Sequence, residues 1–194
     1  MTLTKPVTYV AWLAAALATV ACARNPEAEV RSSIEAAEQA RRPATALARA
    51  RAFASVGDLM RAEQYLKLAL DGGADSSEVT PLLVEVCTRD QRFLDAIQHI
   101  EHHLRHHPDD ARLRYVLASL EAAVGNEERA RTEYERVLAR EPNNAEVHYA
   151  LAVLLRDGVA NLEQADLHFR AYLRLRPSGN HAEESRAALL TELP

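Results

Sequence analysis

The sequence predicts an all-α array of helical hairpins, and three observations carry that prediction. Pro108, Pro142 and Pro177 close three stretches of similar pattern, at intervals of 34 and 35 residues. Ala62, Ala96, Ala130 and Ala165 recur at 34, 34 and 35 residues, and each is followed four positions later by a large apolar side chain, Leu66, Ile100, Tyr134 and Phe169. Residues four apart share a helix face, so each pair marks one buried stripe. The composition agrees: an aromatic content of 5% with only 6 Gly in 194 residues suits helices packed on small side chains. The net charge of −5 provides no basic field, which argues against a nucleic-acid partner. Apart from Lys5 and Lys67 the basic residues are all Arg, the side chain suited to forked pairing with carboxylates.

Taken in order, the first residues read as an address. Lys5 precedes an apolar run from Val7 to Val20, shorter than the roughly 20 residues a spanning helix needs, so residues 1–21 are expected to be a signal peptide. Two cleavage readings follow. Ala18-Thr19-Val20-Ala21-Cys22 resembles a bacterial lipobox, in which Cys22 would be lipidated. Ala21-Cys22-Ala23 is also an A-x-A site for ordinary secretion, releasing a soluble periplasmic protein. The lipobox is favoured by the position of Cys22 at the end of the run and by the polar stretch Arg24-Asn25-Pro26-Glu27 after it, although Thr19 stands where lipoboxes usually carry Leu. By resemblance to other lipoproteins, Ala23 after the cysteine implies sorting to the outer membrane, with the protein facing the periplasm. Residues 22–42 then form a tether, with Val30, Ile34 and Ala37 at helical spacing marking a possible N-terminal helix.

The next stretch divides into four repeats, residues 43–76, 77–110, 111–144 and 145–179, the last with one residue inserted around Gly158 to Asn161. Breaks at Gly57-Asp58, Gln91-Arg92, Gly125-Asn126 and Gly158 separate two helices in each repeat. Asn126 before Glu127 and Glu128 reads as an N-cap. Thr80-Pro81 reads as the start of the first helix of the second repeat, since proline is best tolerated in the first turn. Asn180 with Glu183 marks the start of a capping helix from His181 to Leu193 in residues 180–194.

The period and the second half-motif, alanine, three residues, a large apolar residue and a closing proline, resemble the tetratricopeptide repeat. The first half-motif is weaker: it stands as His148-x2-Leu151-Ala152-x2-Leu155, Arg114-x2-Leu117-Ala118-x2-Glu121 and Thr80-x2-Leu83-Val84-x2-Cys87, without tryptophan and with Glu121 where an aromatic residue is usual. The resemblance implies an α-solenoid of about four helix-turn-helix repeats with a C-terminal capping helix. It also implies that a protein or peptide partner lies in the concave groove lined by the first helices. Projected onto this register, the groove carries Arg51, Glu85, Arg89, Arg112, Tyr115, Ser119, Tyr149, Val153 and Arg156, with arginines to grip carboxylates and tyrosines to supply rigid contact area.

A second constellation is the run Gln98 to His107, with His99, His102, His103, His106 and His107. Pairs four apart can present two imidazoles to one metal ion, yet a firm site wants three or four ligands from more than one element. No metal or other cofactor is therefore expected, with His99, His102, His103 and His106 as weak candidates only. His103 falls where the repeat places a small alanine, so it reads as a hydrogen-bonded core histidine. Cys87 ends the apolar stretch Leu82 to Cys87 and reads as a small buried hydrophobe, without a neighbouring base or cation to activate it. Gln98 stands where the inverted zinc-protease motif H-x-x-E-H needs histidine, and no nucleophile elbow, phosphate loop or C-x-x-C is present. The expected function is thus a non-enzymatic interaction scaffold, lipid-anchored at Cys22, assisting assembly of an envelope machine such as a pilus, a secretion apparatus, outer-membrane insertion or polysaccharide export. The alternative is a periplasmic metal-binding or metal-sensing protein using His99 to His107.

Overall fold

A computed structural model describes residues 26–190; the expected signal peptide, Cys22 and the start of the expected tether lie outside them, as does the end of the expected capping helix. The described residues form ten helices and no strand. The chain divides into two units, Met1–Ala40 and Arg41–Pro194. In the first, α1 (Pro26–Arg41) leaves Val30 and Ile34 exposed.

The second unit is built from four hairpins: α2 (Pro43–Ser55) with α3 (Leu59–Asp71), α4 (Ser76–Arg89) with α5 (Phe93–His106), α6 (Ala111–Ala123) with α7 (Glu127–Arg140), and α8 (Ala145–Asp157) with α9 (Leu162–Leu175). A short helix, α10 (Ala182–Ala187), packs on α9. From α2 to α10 each helix packs on the next in sequence, and α6 also touches α8. That contact is between two first helices, the side on which the resemblance above places the inner face of such an array.

The periodic residues of the sequence are the core. Ala62, Ala96, Ala130 and Ala165 are at most 2% exposed, and Leu66, Ile100, Tyr134 and Phe169 at most 3%. The turns repeat as strictly. Asp58, Arg92 and Asn126 donate their backbone N–H to the carbonyls of Phe53, Cys87 and Glu121 at 2.8–2.9 Å, the six-to-one bond that closes a helix C-terminus. In the fourth hairpin Asn161 N–H reaches Leu155 O at 2.7 Å across one more residue. The insertion therefore falls inside that turn. The left-handed residue that such a turn requires is Gly57 or Gly125 in two hairpins, but Gln91 (φ 59°) and Ala160 (φ 55°) in the others; Gly158 has an ordinary negative φ.

Three boundary expectations are corrected. Helix α4 starts at Ser76, not at Thr80, because Asp75 accepts from Ser77 N–H at 2.8 Å and caps it. Pro81 consequently sits inside the helix, where it forfeits one backbone bond. Asn126 occupies an N-cap position but donates its side chain to Glu121 Oε2 at 2.7 Å instead of capping α7. The C-terminal helix is shorter than expected: α10 starts at Ala182, its N-cap residue His181 makes no side-chain cap, and it ends at Ala187.

Candidate partner-binding face

The nine groove residues all fall on first helices, in two clusters and two outliers. Arg51, Glu85 and Arg89 line a groove of about 210 Å³ between α2, α3 and α4, floored by Ala50, Leu66, Leu82 and Val86. Arg51 pairs with Glu78 at 2.8 Å, and Arg89 donates to the carbonyl of Ala54 at 3.0 Å. These bonds tie α4 to α2 and hold the guanidinium groups at the rim.

The second groove, about 480 Å³, lies over α6, α7 and α8 and is lined by Ala122, Tyr134, Tyr149, Ala150 and Val153 among others. Tyr115 and Ser119 border it through Tyr134: the Tyr115 and Tyr134 ring centroids are 5.8 Å apart, and Ser119 Oγ is 3.0 Å from the Tyr134 hydroxyl. Arg112, at the start of α6, is exposed and belongs to neither groove. Arg156 is drawn away into ion pairs with Asp157 at 2.6 Å and Glu184 at 3.3 Å.

Glu184 and His181, from the C-terminal segment, were not legible as partners of this face. The Tyr149 hydroxyl donates to Glu184, and its ring stacks on His181 at 3.8 Å. Burial first, and then the Glu184 carboxylate, push the Tyr149 phenol up to about 12, so it stays a donor at any physiological pH. The Tyr149 hydroxyl and the Arg156 guanidinium together hold the Glu184 carboxyl below its usual range. The cap segment thus takes up one side of the groove's aromatic wall.

A larger cavity of about 770 Å³ lies between α5, α6 and α7, lined by Arg105, Arg114, Arg129 and Arg136 and by Glu101, Glu128 and Glu133. Three of these four arginines are paired within it: Arg114 and Arg136 both bond Glu133, at 2.6 and 2.5 Å, and Arg129 bonds Glu101. At its edge Glu121 is wholly buried where the repeat usually carries an aromatic ring. Its charge is met by Asn126 and by Arg129 at 3.0 Å.

The histidine run is dispersed over separate surroundings. His103 is buried and bonded to Ser76 Oγ at 3.1 Å and Asp110 Oδ2 at 3.2 Å, with His107 stacked on it at 4.4 Å. His103 is therefore the hydrogen-bonded core residue that its register suggested. His102 lies 2.7 Å from an Arg105 nitrogen and 5.6 Å, ring to ring, from His106. His99 instead turns toward Cys87 and Glu63, whose ligating atoms all lie within 4.8 Å of one another. Burial pushes the Cys87 thiol up and pulls the His99 imidazole down. Burial also works to raise the Glu63 carboxyl, but hydrogen bonds from Lys67 and Arg92 outweigh it and hold it below its usual range.

A histidine pair also forms between α8 and α9: His148 Nδ1 and His168 Nδ1 are 2.9 Å apart, and His148 Nε2 lies 3.0 Å from the Pro142 carbonyl. Burial, and then the neighbouring His148, lower the His168 pKa from 6.5, with Glu135 opposing. A histidine whose folded pKa lies below its unfolded value stabilises the fold above the unfolded pKa and loses that contribution as the pH falls. His99 is shifted in the same sense. The melting temperature is therefore expected to drop on acidification through 6.5, and His168→Gln should flatten that part of the profile. A wild-type profile that rises toward acid, or a variant profile of unchanged slope, would contradict this assignment.

Comparison with known proteins agrees with the helical-hairpin fold. The tetratricopeptide-repeat family model matches residues 88–154, and no curated protein matches the chain. Among solved structures, YrrB, described as a TPR protein with an unusual peptide-binding site, superposes with a TM-score of 0.66 at 15% identity, over 82% of this chain and 88% of that one. A tetratricopeptide repeat protein from Parabacteroides merdae ATCC 43184 gives 0.68 at 22% identity, over 75% of this chain but 58% of its own length. MamA from Desulfovibrio magneticus RS-1 gives 0.65 at 17%, over 75% and 84%. The chain has the all-α solenoid fold of tetratricopeptide-repeat proteins, and its residues 88–154 match that family's model.

Proposed function

We propose that this chain is a non-enzymatic scaffold that holds a protein or peptide partner along the inner face of its first helices. The observation that carries the reading is the pair of grooves on that face, with apolar floors and with Arg51, Arg89, Tyr115 and Tyr149 at their borders. An extended peptide needs such a surface, with arginine for its carboxylates and rigid aromatic area for its side chains. The peptide-binding site described for YrrB supports the same reading. The alternative function, metal binding through the run His99 to His107, is disfavoured by the diversion of His103 into Ser76 and Asp110.

The proposal extends to location. Cys22 carries the lipid anchor, residues 22–42 are the tether, and the solenoid faces the periplasm from the outer membrane, where it assists assembly of an envelope machine, a pilus or secretion apparatus first among them. No helix among the described residues is long and apolar enough to cross a membrane. The apolar run from Val7 to Val20 and the lipobox-like Ala18 to Cys22 at its end support an anchor of this kind. Cys22→Ser is expected to shift the protein from the membrane fraction to the soluble periplasm, or to stall its processing. Mature protein that stays membrane-bound after that substitution would refute the anchor; release with partner binding intact would leave the scaffold reading standing.

A further inference from the structure

We propose that Glu63, Cys87 and His99 form a binding site for a borderline-soft divalent cation, Zn²⁺ by preference, that fastens three consecutive helices together. The three residues come from α3, α4 and α5, so the donors converge from separate elements and across the boundary between the first two hairpins. That is what the histidine run by itself lacks. In a tetrahedral zinc site with bonds of about 2.0–2.3 Å, ligand atoms stand about 3.3–3.7 Å apart; here all three lie within 4.8 Å of one another. Small side-chain rotations bring them to bonding distance. Thiolate, imidazole and carboxylate are a donor set that zinc accepts, and three protein ligands leave a fourth position for water or another group.

The surroundings suit a cation despite two neighbouring positive side chains. Lys67 Nζ bonds Glu63 at 2.6 Å and Arg92 bonds its other oxygen, but a carboxylate offers about four lone-pair sites, so both oxygens retain one. The same two bonds fix the carboxylate in place, the service that outer-shell partners give a metal ligand. Arg92 is itself held by Asp90 and Asp95, each at 2.7 Å. Glu63, Asp90 and Asp95 exceed Lys67 and Arg92 by one negative charge. Loss of the Cys87 proton to solvent adds a second, and a divalent cation then brings the cluster to neutrality. Cys87 is wholly buried, whereas Glu63 and His99 are only partly so, and this leaves an approach from the surface of α3 and α5. The positions equivalent to Cys87 in the other hairpins are Phe53, Glu121 and Leu155, so the site belongs to this repeat alone and is not a property of the fold.

The test is a Co²⁺ titration of the reduced, untagged protein, followed by displacement with Zn²⁺. One equivalent of Co²⁺ is expected to bind with a thiolate-to-metal charge-transfer band, to be displaced by Zn²⁺, and Zn²⁺ should raise the melting temperature, since a ligand preferring the native state stabilises it. His99→Gln and Cys87→Ser should each abolish the band and weaken affinity roughly tenfold or more, while His102→Gln with His106→Gln should leave both intact. Should Cys87→Ser fold poorly, the partly exposed His99 position still decides the matter. Absence of the band with Co²⁺ in excess, or binding that survives His99→Gln and disappears in the His102→Gln, His106→Gln variant, would overturn the site.

Discussion

Replacing Phe169 by alanine is expected to destabilise the protein by about 3–5 kcal/mol, the cost of emptying a fully packed aromatic site. Phe169 is 0% exposed and shares a core cluster with Tyr134, Leu151, Ala152, Leu155 and Ala165. Its ring also meets Tyr149 edge-on at 6.2 Å and carries the Arg156 guanidinium 5.5 Å from its centroid. These contacts join α9 to α8 and, through Tyr149, to the cap segment. Because a solenoid is stabilised by neighbour-to-neighbour interfaces, the damage should appear first as loss of protection in α8, α9 and α10, ahead of the first two hairpins. Denaturant unfolding with hydrogen exchange reads both effects. A loss below about 1 kcal/mol, typical of surface positions, would show that α9 does not pack as described.

The second large effect is on binding. Truncating a true anchor of the inner face should weaken a partner by about 2 kcal/mol, roughly thirtyfold. Tyr115→Ala together with Val153→Ala is the informative variant, because both side chains border the groove over α6 and α8 and neither is tied to the cap. Tyr149 and Arg156 are less clean, since both also hold Glu184; Tyr149→Phe, which keeps the ring and removes the hydroxyl, separates the two roles. The control belongs on the second helices but away from Glu133 and Arg136, which line the charged cavity there. Arg131→Ala with Glu135→Ala breaks an exposed pair at 2.9 Å, worth little to stability. A partner that tolerates the Tyr115, Val153 variant and is lost with the control would place the site on the wrong face.

The fold was legible because its signal is periodic. Alanine at one register and a large apolar residue four places on recur in every hairpin, and all eight residues are buried. Local chemistry that competes with that pattern was harder to read. Asp75 caps α4 ahead of Pro81, and a proline inside a helix is legible only when the cap before it is recognised. Asn126 looked like a cap but serves the buried Glu121, a demand set by tertiary packing. The Glu63, Cys87 and His99 cluster has no sequence motif at all, since its members lie on three helices and only the superhelical stacking brings them together. Likewise Glu184 and His181 reach Tyr149 from the far end of the chain. The groove residues could be placed on the first helices by register, but which of them the cap engages depends on how the C-terminal segment folds back.

The central claim, that the inner face receives a protein partner, is tested most directly by photocrosslinking in intact cells. A photoreactive amino acid is placed in turn at Arg89, Ser119 and Val153 on the first helices, and at Arg131, Glu135 and Leu167 on the second. The account predicts one discrete adduct of constant partner mass from the first-helix positions and none from the second. Adducts confined to the second-helix positions, or no adduct from any first-helix position in cells where the protein is expressed and folded, would contradict it.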